Sequence, residues 1–228
     1  MAKPSWLNLN PTSGSGDGTI KNSASEHTGR IARTGEVTVQ GVGISEPKKY
    51  KVTQTPKDEF VSFDDEQEIA VAKGGGTLTI TGKSNSAKLK FSWAEENGTP
   101  VVLSESEEDN DYGSLEVNIP ETYTASGKVT NNDTEIEGDP GAENEYNWSI
   151  ELEIPKNPTI EEVVRNLIVE ANGGQKVQIA IKQAAGEPYL ELPDFADLEE
   201  GEIAEITIPQ DGSEVSVNVL SNTSWTVS

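Results

Sequence analysis

Apolar and polar side chains alternate along most of this chain, and clusters of Gly, Pro, Asn and Asp interrupt the alternation. A period of two places every second side chain on one face, which is the pattern of a half-buried β-strand. Segment 157–171 has some helical spacing, but Pro158 and its β-branched residues favour a strand or a single turn at least as strongly. The alternation predicts strands at 36–42, 49–54, 77–82, 88–93, 114–119, 148–154, 176–181, 204–208 and 214–219.

Many short strands between polar turns are typical of β-sandwiches. The chain is therefore predicted to be all-β, built of tandem immunoglobulin-like sandwiches, with almost no helix.

Two patterns each occur twice along the chain. Residues 32–54 and 164–183 share an arginine, a strand, a Gly-containing hairpin and a last strand ending on glutamine, a pattern that we name the back half. Residues 74–93 and 211–228 share a glycine, an alternating strand, a Ser-Asn pair and a second strand with a tryptophan, which we name the front half.

The order of these halves predicts three units. Residues 58–186 hold one front and one back half, so they form a complete domain with acidic insertions at 104–113 and 130–146. Residues 1–57 hold only a back half, and residues 187–228 hold only a front half. The two terminal units are thus complementary.

Joined end to end, residues 211–228 and 4–54 resemble one BACON domain, the immunoglobulin-like module of Bacteroidetes proteins and of the phages that infect them. The matching features are Ser221-Asn222 before Trp225, Trp6-Leu7 before the "NPTSGSG" turn, an arginine before a strand, and the final glutamine strand. The resemblance covers both termini well and residues 58–186 loosely, with the second half of the module first in the chain. It implies a binding or structural module, for which carbohydrate binding has been proposed.

The front half at 187–228 is predicted to expose strand edges that serve assembly. An open sheet edge is costly, because its unpaired backbone groups invite another strand. Three alternatives could complete this front half: residues 1–57 of the same chain, residues 1–57 of the next chain, or further residues of a longer protein. The predicted edge residues are Glu214, Val215, Val217, Val219, Trp225 and Val227.

The charge of the chain narrows the partners. Seventeen Lys and Arg face 40 Asp and Glu, a net charge of −23, which repels nucleic acid and anionic lipid. There is no cysteine, no apolar run of membrane-spanning length and no apolar segment of a secretory signal near Met1. If Met1 is native, these features predict a protein made and kept in a cytoplasm; otherwise secretion stays open.

Few residues suggest chemistry, and no cofactor or catalytic group is predicted. His27, the only histidine, lies in a turn-like stretch and is predicted to be an inert surface residue. The oxygen-rich loops 107–111 and 131–139 suit Ca²⁺ in ligand type, although neither has the EF-hand spacing. Trp6 is the candidate glycan contact, whereas Trp93 and Trp225 are expected in the core.

The first functional hypothesis is a non-enzymatic auxiliary, decoration or head-fibre protein of a phage virion, assembled in the host cytoplasm. Its partners would be capsid proteins and neighbouring copies of itself. The alternative is an extracellular or cell-surface carbohydrate-binding or adhesion module of a Bacteroidetes bacterium.

Overall fold

A computed structural model describes residues 3–64, 68–94, 115–196 and 202–228 of the chain. The described residues form fifteen strands and two 3-10 turns, at Pro140–Ala142 and Pro193–Phe195. No helix in this part of the chain has the length and apolar character needed to span a bilayer. The strands are β1 Leu7–Asn10, β2 Lys21–Ala24, β3 Arg33–Val39, β4 Lys48–Gln54, β5 Val61–Phe63, β6 Glu68–Val71, β7 Gly76–Ser84, β8 Leu89–Trp93, β9 Thr122–Ala125, β10 Lys128–Asn131, β11 Tyr146–Ile154, β12 Val163–Ala171, β13 Lys176–Gln183, β14 Leu190–Glu191 and β15 Leu220–Ser221.

The described residues between 58 and 186, which we name the central unit, form an immunoglobulin-like sandwich of two sheets. One sheet has five strands in the order β10-β9-β11-β7-β5, and the other has four in the order β6-β13-β12-β8. All neighbours are antiparallel except β6 and β13, which run parallel. The fold class predicted from the alternation, all-β with immunoglobulin-like sandwiches, is confirmed.

The core of the central unit lies between these sheets and follows from the alternation. On β11, Trp148, Ile150, Leu152 and Ile154 are buried, whereas the glutamates between them are exposed. The Trp148 ring meets Phe63 and Phe91 edge-on, with ring centroids 5.6 and 5.4 Å apart. Such tilted pairs are favoured by the charge distribution of aromatic rings.

The terminal units are smaller sheets. In residues 1–57, β1 pairs with β2 and β3 pairs with β4, and Leu7 and Val37 are buried. In residues 187–228, two-residue strands β14 and β15 pair. Among the described residues, no strand pairing joins the first terminal unit to the second.

Three predicted strands do not form a backbone ladder in the described chain. Residues 204–208 and 214–219 lie outside any strand, and residues 115–119 are buried in alternation but are not paired as a strand. These predictions were wrong because alternation fixes the side-chain faces, whereas a ladder also requires a neighbouring backbone. Segment 157–171, left open between strand and turn, contains the nine-residue strand β12.

Two predictions about single side chains were also wrong. Trp225 is 50% exposed, because no second layer covers residues 225–228. His27 is buried with 6% exposure, because its loop packs against the central unit.

Candidate functional site

The units meet at two joints, each formed by hydrogen bonds from a Ser-Asn pair to the backbone of a loop and a linker. The first joint brings residues 27–31 and 57–60 against Ser84 and Asn85. The second joint brings residues 157–161 and 186–189 against Ser221 and Asn222. Both Ser-Asn pairs belong to the front-half repeat. In the sequence, each pair was only a feature that the two copies share, and no contact was predicted for it.

In the first joint, the Asn85 side chain holds three backbone groups. Its Nδ2 donates to the carbonyl oxygens of Thr28 at 3.1 Å and Asp58 at 3.2 Å. Its Oδ1 accepts from the backbone N–H of Phe60 at 2.9 Å. Asn85 is fully buried, so it uses both ends of its amide to tie together the loop before β3 and the linker before β5.

In the second joint, Asn222 makes the corresponding three contacts. Its Nδ2 donates to the carbonyl oxygens of Pro158 at 2.8 Å and Glu187 at 2.9 Å. Its Oδ1 accepts from the backbone N–H of Tyr189 at 2.9 Å. The same chemistry therefore recurs with different residues at the other end of the central unit.

The serines beside these asparagines also match. Ser84 Oγ donates to the Phe60 carbonyl at 2.6 Å, and Ser221 Oγ donates to the Tyr189 carbonyl at 2.9 Å. Each hydroxyl also accepts from the backbone N–H two residues later in the chain, at 2.9 and 3.1 Å. Each Ser-Asn pair thus binds both backbone groups of one linker residue, the N–H and the carbonyl of Phe60 in the first joint and of Tyr189 in the second.

The loops that enter the joints are built alike. His27 Nε2 lies 2.7 Å from the carbonyl of Ile31, and Asn157 Nδ2 donates to the carbonyl of Glu161 at 2.8 Å. A side chain therefore closes a loop of the same length in both joints, which explains the burial of His27. The linker backbone adds one matching bond in each joint, from Lys57 N–H to Gly29 at 2.9 Å and from Gly186 N–H to Thr159 at 2.7 Å.

The first joint has an additional layer, formed by the acidic insertion. The backbone N–H groups of Arg30 and Ile31 donate to the carbonyls of Gly141 and Ala142, both at 3.0 Å. The Arg30 guanidinium donates to Asp139 at 2.5 Å, and this bond raises the pKa of Arg30. Insertion 130–146 thus acts as a contact surface for the N-terminal unit.

Two glycines allow this close approach. A Cβ on Gly29 would lie 2.3 Å from the backbone carbon of Glu143, and a Cβ on Gly141 would lie 2.1 Å from the carbonyl oxygen of Asn85. Backbone cannot yield to a side chain as a flexible group does, so both positions require glycine.

The joints lie at opposite ends of the central sandwich. β11 starts at Tyr146, beside the first joint, and ends at Ile154, opposite Gly76 and beside the second. Nine residues of strand span about 27 Å, since each step advances about 3.4 Å. The terminal units therefore lie at the two ends of the central sandwich, one beyond each joint.

The arginine and the glutamine that the two back halves have in common are in contact in each of them. Arg33 Nε donates to Gln54 Oε1 at 2.9 Å, directly across β3 and β4. Arg165 Nη1 donates to Gln183 Oε1 at 3.2 Å, from a position two residues along β12 on the same face. Burial lowers the pKa of Arg165, whose Nη2 also donates to the Leu115 carbonyl at 2.8 Å.

Trp6, the candidate glycan contact, is half-buried in the N-terminal unit. The Arg33 guanidinium lies 4.8 Å from the Trp6 ring centroid, and Gly35 packs beside the ring. A sugar needs an open aromatic face, so Arg33 competes with a ligand for one of the two faces.

The candidate calcium loops are placed as follows. Residues 107–111 lie outside the described residues. In loop 131–139, Asp133 pairs with Lys88 at 2.8 Å and Asp139 pairs with Arg30. The bond from Lys88 lowers the pKa of Asp133. In the described part of the chain, no three potential metal-ligating side chains are grouped at one site.

The predicted assembly-edge residues lie together in the C-terminal unit. Val217 lines an open apolar groove with Phe195, Ile203 and Ile206. Glu214, Val215, Trp225 and Val227 are exposed, and Val219 is half-buried. Their side chains are thus accessible, although their backbone is not in a strand.

No family model matches this chain, and no curated protein matches it. A solved xyloglucanase of family GH5 from Bacteroides ovatus, in complex with a heptasaccharide, is 14% identical over 56% of this chain, with a TM-score of 0.29. The chain spans only 19% of that protein.

Two further solved structures are similar at the same level. A protein from Bacteroides thetaiotaomicron is 16% identical over 56% of this chain and 88% of that one, with a TM-score of 0.26. Domains 4–9 of the surface layer protein SbsC are 10% identical over 90% of this chain and 31% of that one, with a TM-score of 0.33. These TM-scores are too low to add to the description of the fold.

Proposed function

We propose that this chain is a non-enzymatic structural protein, in which fixed joints hold successive immunoglobulin-like units in line. The observation that supports this most strongly is the recurrence of the Ser-Asn contacts, bond for bond, at both ends of the central unit. Units in one chain move against each other by default unless their interface restrains them. Here, the buried Asn85 amide, the half-buried Asn222 amide and backbone bonds restrain the two linkers, which suits a spacer or brace of defined length.

We propose that it belongs to a phage virion, where it would decorate or brace the capsid. It would join the capsid during assembly in the host cytoplasm. Two sequence features support this choice: the resemblance of the terminal halves to BACON modules, and a net charge of −23 that disfavours nucleic acid and membrane as partners. Capsid proteins and neighbouring copies are the proposed partners, and no cofactor takes part.

The stiffness of the joints is tested by small-angle X-ray scattering of the Gly29→Ala variant. The added Cβ meets the Glu143 backbone at 2.3 Å, so we expect the first joint to open and the distribution of interatomic distances to broaden. Gly14→Ala is the matched control, because no atom lies within 4 Å of a Cβ there. Equal scattering curves for the wild-type and Gly29→Ala chains would show that the joint does not set the shape of the molecule.

The virion role is tested by peptide mass spectrometry of gradient-purified phage particles from the culture that produces this protein. We expect its peptides in the particles, in a constant ratio to the capsid protein. Recovery only from the cell envelope or the medium would reject the virion role.

The alternative is a carbohydrate-binding or adhesion module at the cell surface. Its support is the Trp6 ring, which is only half-buried and so keeps part of its surface accessible to a ligand. A glycan array on the purified chain tests it, with Trp6→Ala as the control. A specific signal that Trp6→Ala abolishes would favour this alternative over a purely structural role.

A further inference from the structure

We infer that the C-terminal unit of one copy is completed by the N-terminal unit of a second copy, so that copies join head to tail. This inference rests on the proposed structural role and names the partner that the role requires. Four observations support it: the strand arrangement of the central unit, the exposed apolar groups of both terminal units, the charges of those units and the positions of the joints.

The central unit shows how a front and a back half fit together. Its front-half strand β8 pairs with one edge of β12, with Trp93 opposite Leu167, while the other edge of β12 pairs with β13. In the N-terminal unit, β3 and β4 are the counterparts of β12 and β13, as their arginine-glutamine contacts show. Among the described residues only one edge of β3 is paired, so β3 offers the edge that β12 gives to β8.

Both terminal units expose apolar side chains where this partner would lie. In the C-terminal unit, Ile203 is 93% exposed and Val227 is 85% exposed. In the N-terminal unit, Val42 and Ile44 follow β3 and are 107% and 56% exposed. On the segments that correspond to core strands, Val39 of β3 is 41% exposed and Val215 is 43% exposed, whereas their central counterparts Ala171 and Leu78 lie in or against the buried core. Each terminal unit therefore presents part of an uncovered core.

The charges of the two units are complementary, although the chain as a whole is strongly acidic. Residues 1–57 contain eight Lys and Arg against four Asp and Glu, a net charge of +4. Residues 187–228 contain ten Asp and Glu and no Lys or Arg, a net charge of −10. Lys48 and Lys51 are exposed on β4, and Glu205 and Glu214 are exposed in the C-terminal unit. Opposite charges favour contact between unlike ends and disfavour contact between like ends.

The joints favour a second copy over the same chain as the partner. The terminal units lie at opposite ends of a strand about 27 Å long, so they do not meet within one molecule. In a head-to-tail pair, Ser221 and Asn222 already bind the central unit of the first copy, and the loop 27–31 already binds the central unit of the second. The completed domain would thus have both of its joints made, as the central unit has. Repetition of such a contact gives a filament or a closed ring.

Light scattering of the full chain over a hundred-fold dilution series tests this inference at low salt. We expect masses in multiples of the 24.5 kDa chain that decrease on dilution, and a shift towards monomer in about 1 M salt, where the Debye length is about 3 Å. A monomer at every concentration in low salt would overturn the inference.

Charge-reversal variants identify the two surfaces. Lys48→Glu/Lys51→Glu brings the N-terminal unit to a net charge of 0, and Glu205→Lys/Glu214→Lys brings the C-terminal unit to −6, so each variant alone should assemble less than the wild type. Mixing the two variants should restore pairs with one copy of each, because the unchanged C-terminal unit of the first variant then meets the unchanged N-terminal unit of the second. Lys128→Glu/Lys176→Glu in the central unit is the control: it changes the net charge as much as the first variant, and it should assemble like the wild type. Equal loss in this control, or no recovery on mixing, would contradict the contact.

The scattering experiment on Gly29→Ala separates this inference from the proposed function. A stiff molecule that stays monomeric would leave the structural role standing and reject only self-completion. A molecule that is flexible and also assembles would reject the spacer role and retain the contact between copies.

Discussion

Two segments with the same pattern, β7 in the central unit and residues 213–221 in the C-terminal unit, have different structures. Aligned on Ser84 and Ser221, Ile80 corresponds to Val217. β7 is a nine-residue strand between β11 and β5, and Ile80 is fully buried. Of residues 213–221, only Leu220 and Ser221 are in a strand, and Val217 lines an open groove.

The difference shows which part of a strand is local and which is tertiary. The alternation assigns side chains to faces in both segments, and the Ser-Asn pair forms its joint in both. Only β7 has neighbours on both edges, and only there does the ladder run along the whole segment, whereas in the C-terminal unit it is confined to Leu220 and Ser221. A half unit can therefore retain its joint while most of its alternating segment is unpaired.

The largest expected effect comes from truncating the corresponding core positions. Ile80→Ala should lower the free energy of unfolding of the central unit by about 3 kcal/mol, because it leaves a cavity in a closed core. Val217→Ala in the monomer should cost less than about 0.5 kcal/mol, because its side chain faces an open groove. Urea unfolding of the two variants measures both values. A similar loss for both would mean that Val217 also packs in a closed core.

A smaller contrast is expected between the two arginines of the back halves. Arg165→Met should destabilise the central unit by about 2 kcal/mol, because it leaves the buried oxygens of Leu115 and Gln183 without their donor. Arg33→Met should cost less than about 1 kcal/mol, because Arg33 is only half-buried. Thermal unfolding followed by circular dichroism compares the variants. Equal costs would show that burial does not separate the two contacts.

Alkaline pH should lower the stability of the central unit, which contains two buried tyrosines. Burial raises the pKa of Tyr123 to about 12 and also raises the pKa of Tyr146 above its usual value. The folded state thus favours the protonated phenols, so this stabilisation is complete below pH of about 10 and declines as pH rises through about 12.

Between these pH values, unfolding and the rise of tyrosinate absorbance should therefore occur together, because the buried phenols lose their protons as the central unit unfolds. Tyr123→Phe should make the loss of stability with pH less steep, whereas Tyr50→Phe, whose hydroxyl bonds to Asn22 at the surface, should not. Titration of all tyrosines well below the unfolding transition would contradict the role of burial.

The sequence predicted the parts of the fold that depend on local pattern. The strands predicted at 36–42, 49–54, 77–82, 88–93, 148–154 and 176–181 overlap β3, β4, β7, β8, β11 and β13, with β3 beginning and ending three residues earlier than predicted. Short strands such as β5, β9 and β10 were missed, because three or four residues give too little alternation to recognise.

The joints were only partly predictable. The Ser-Asn repeat drew attention to Asn85 and Asn222, but their backbone partners lie 25 to 64 residues away in the sequence and depend on the packing of whole units. The burial of His27 had one available signal, since His27 occupies the place in its loop that Asn157 occupies in the other. That correspondence becomes visible only when the hydrogen bonds are compared.

Amide hydrogen exchange of residues 76–84 and 214–219 within the same monomeric sample tests most directly whether the C-terminal unit is a half domain. We expect strong protection of 76–84 and fast exchange of 214–219 in the dilute monomer, with protection of 214–219 appearing as the protein concentration rises. Equal protection of both segments in the most dilute sample would contradict it, because residues 214–219 would then have a strand partner within their own chain.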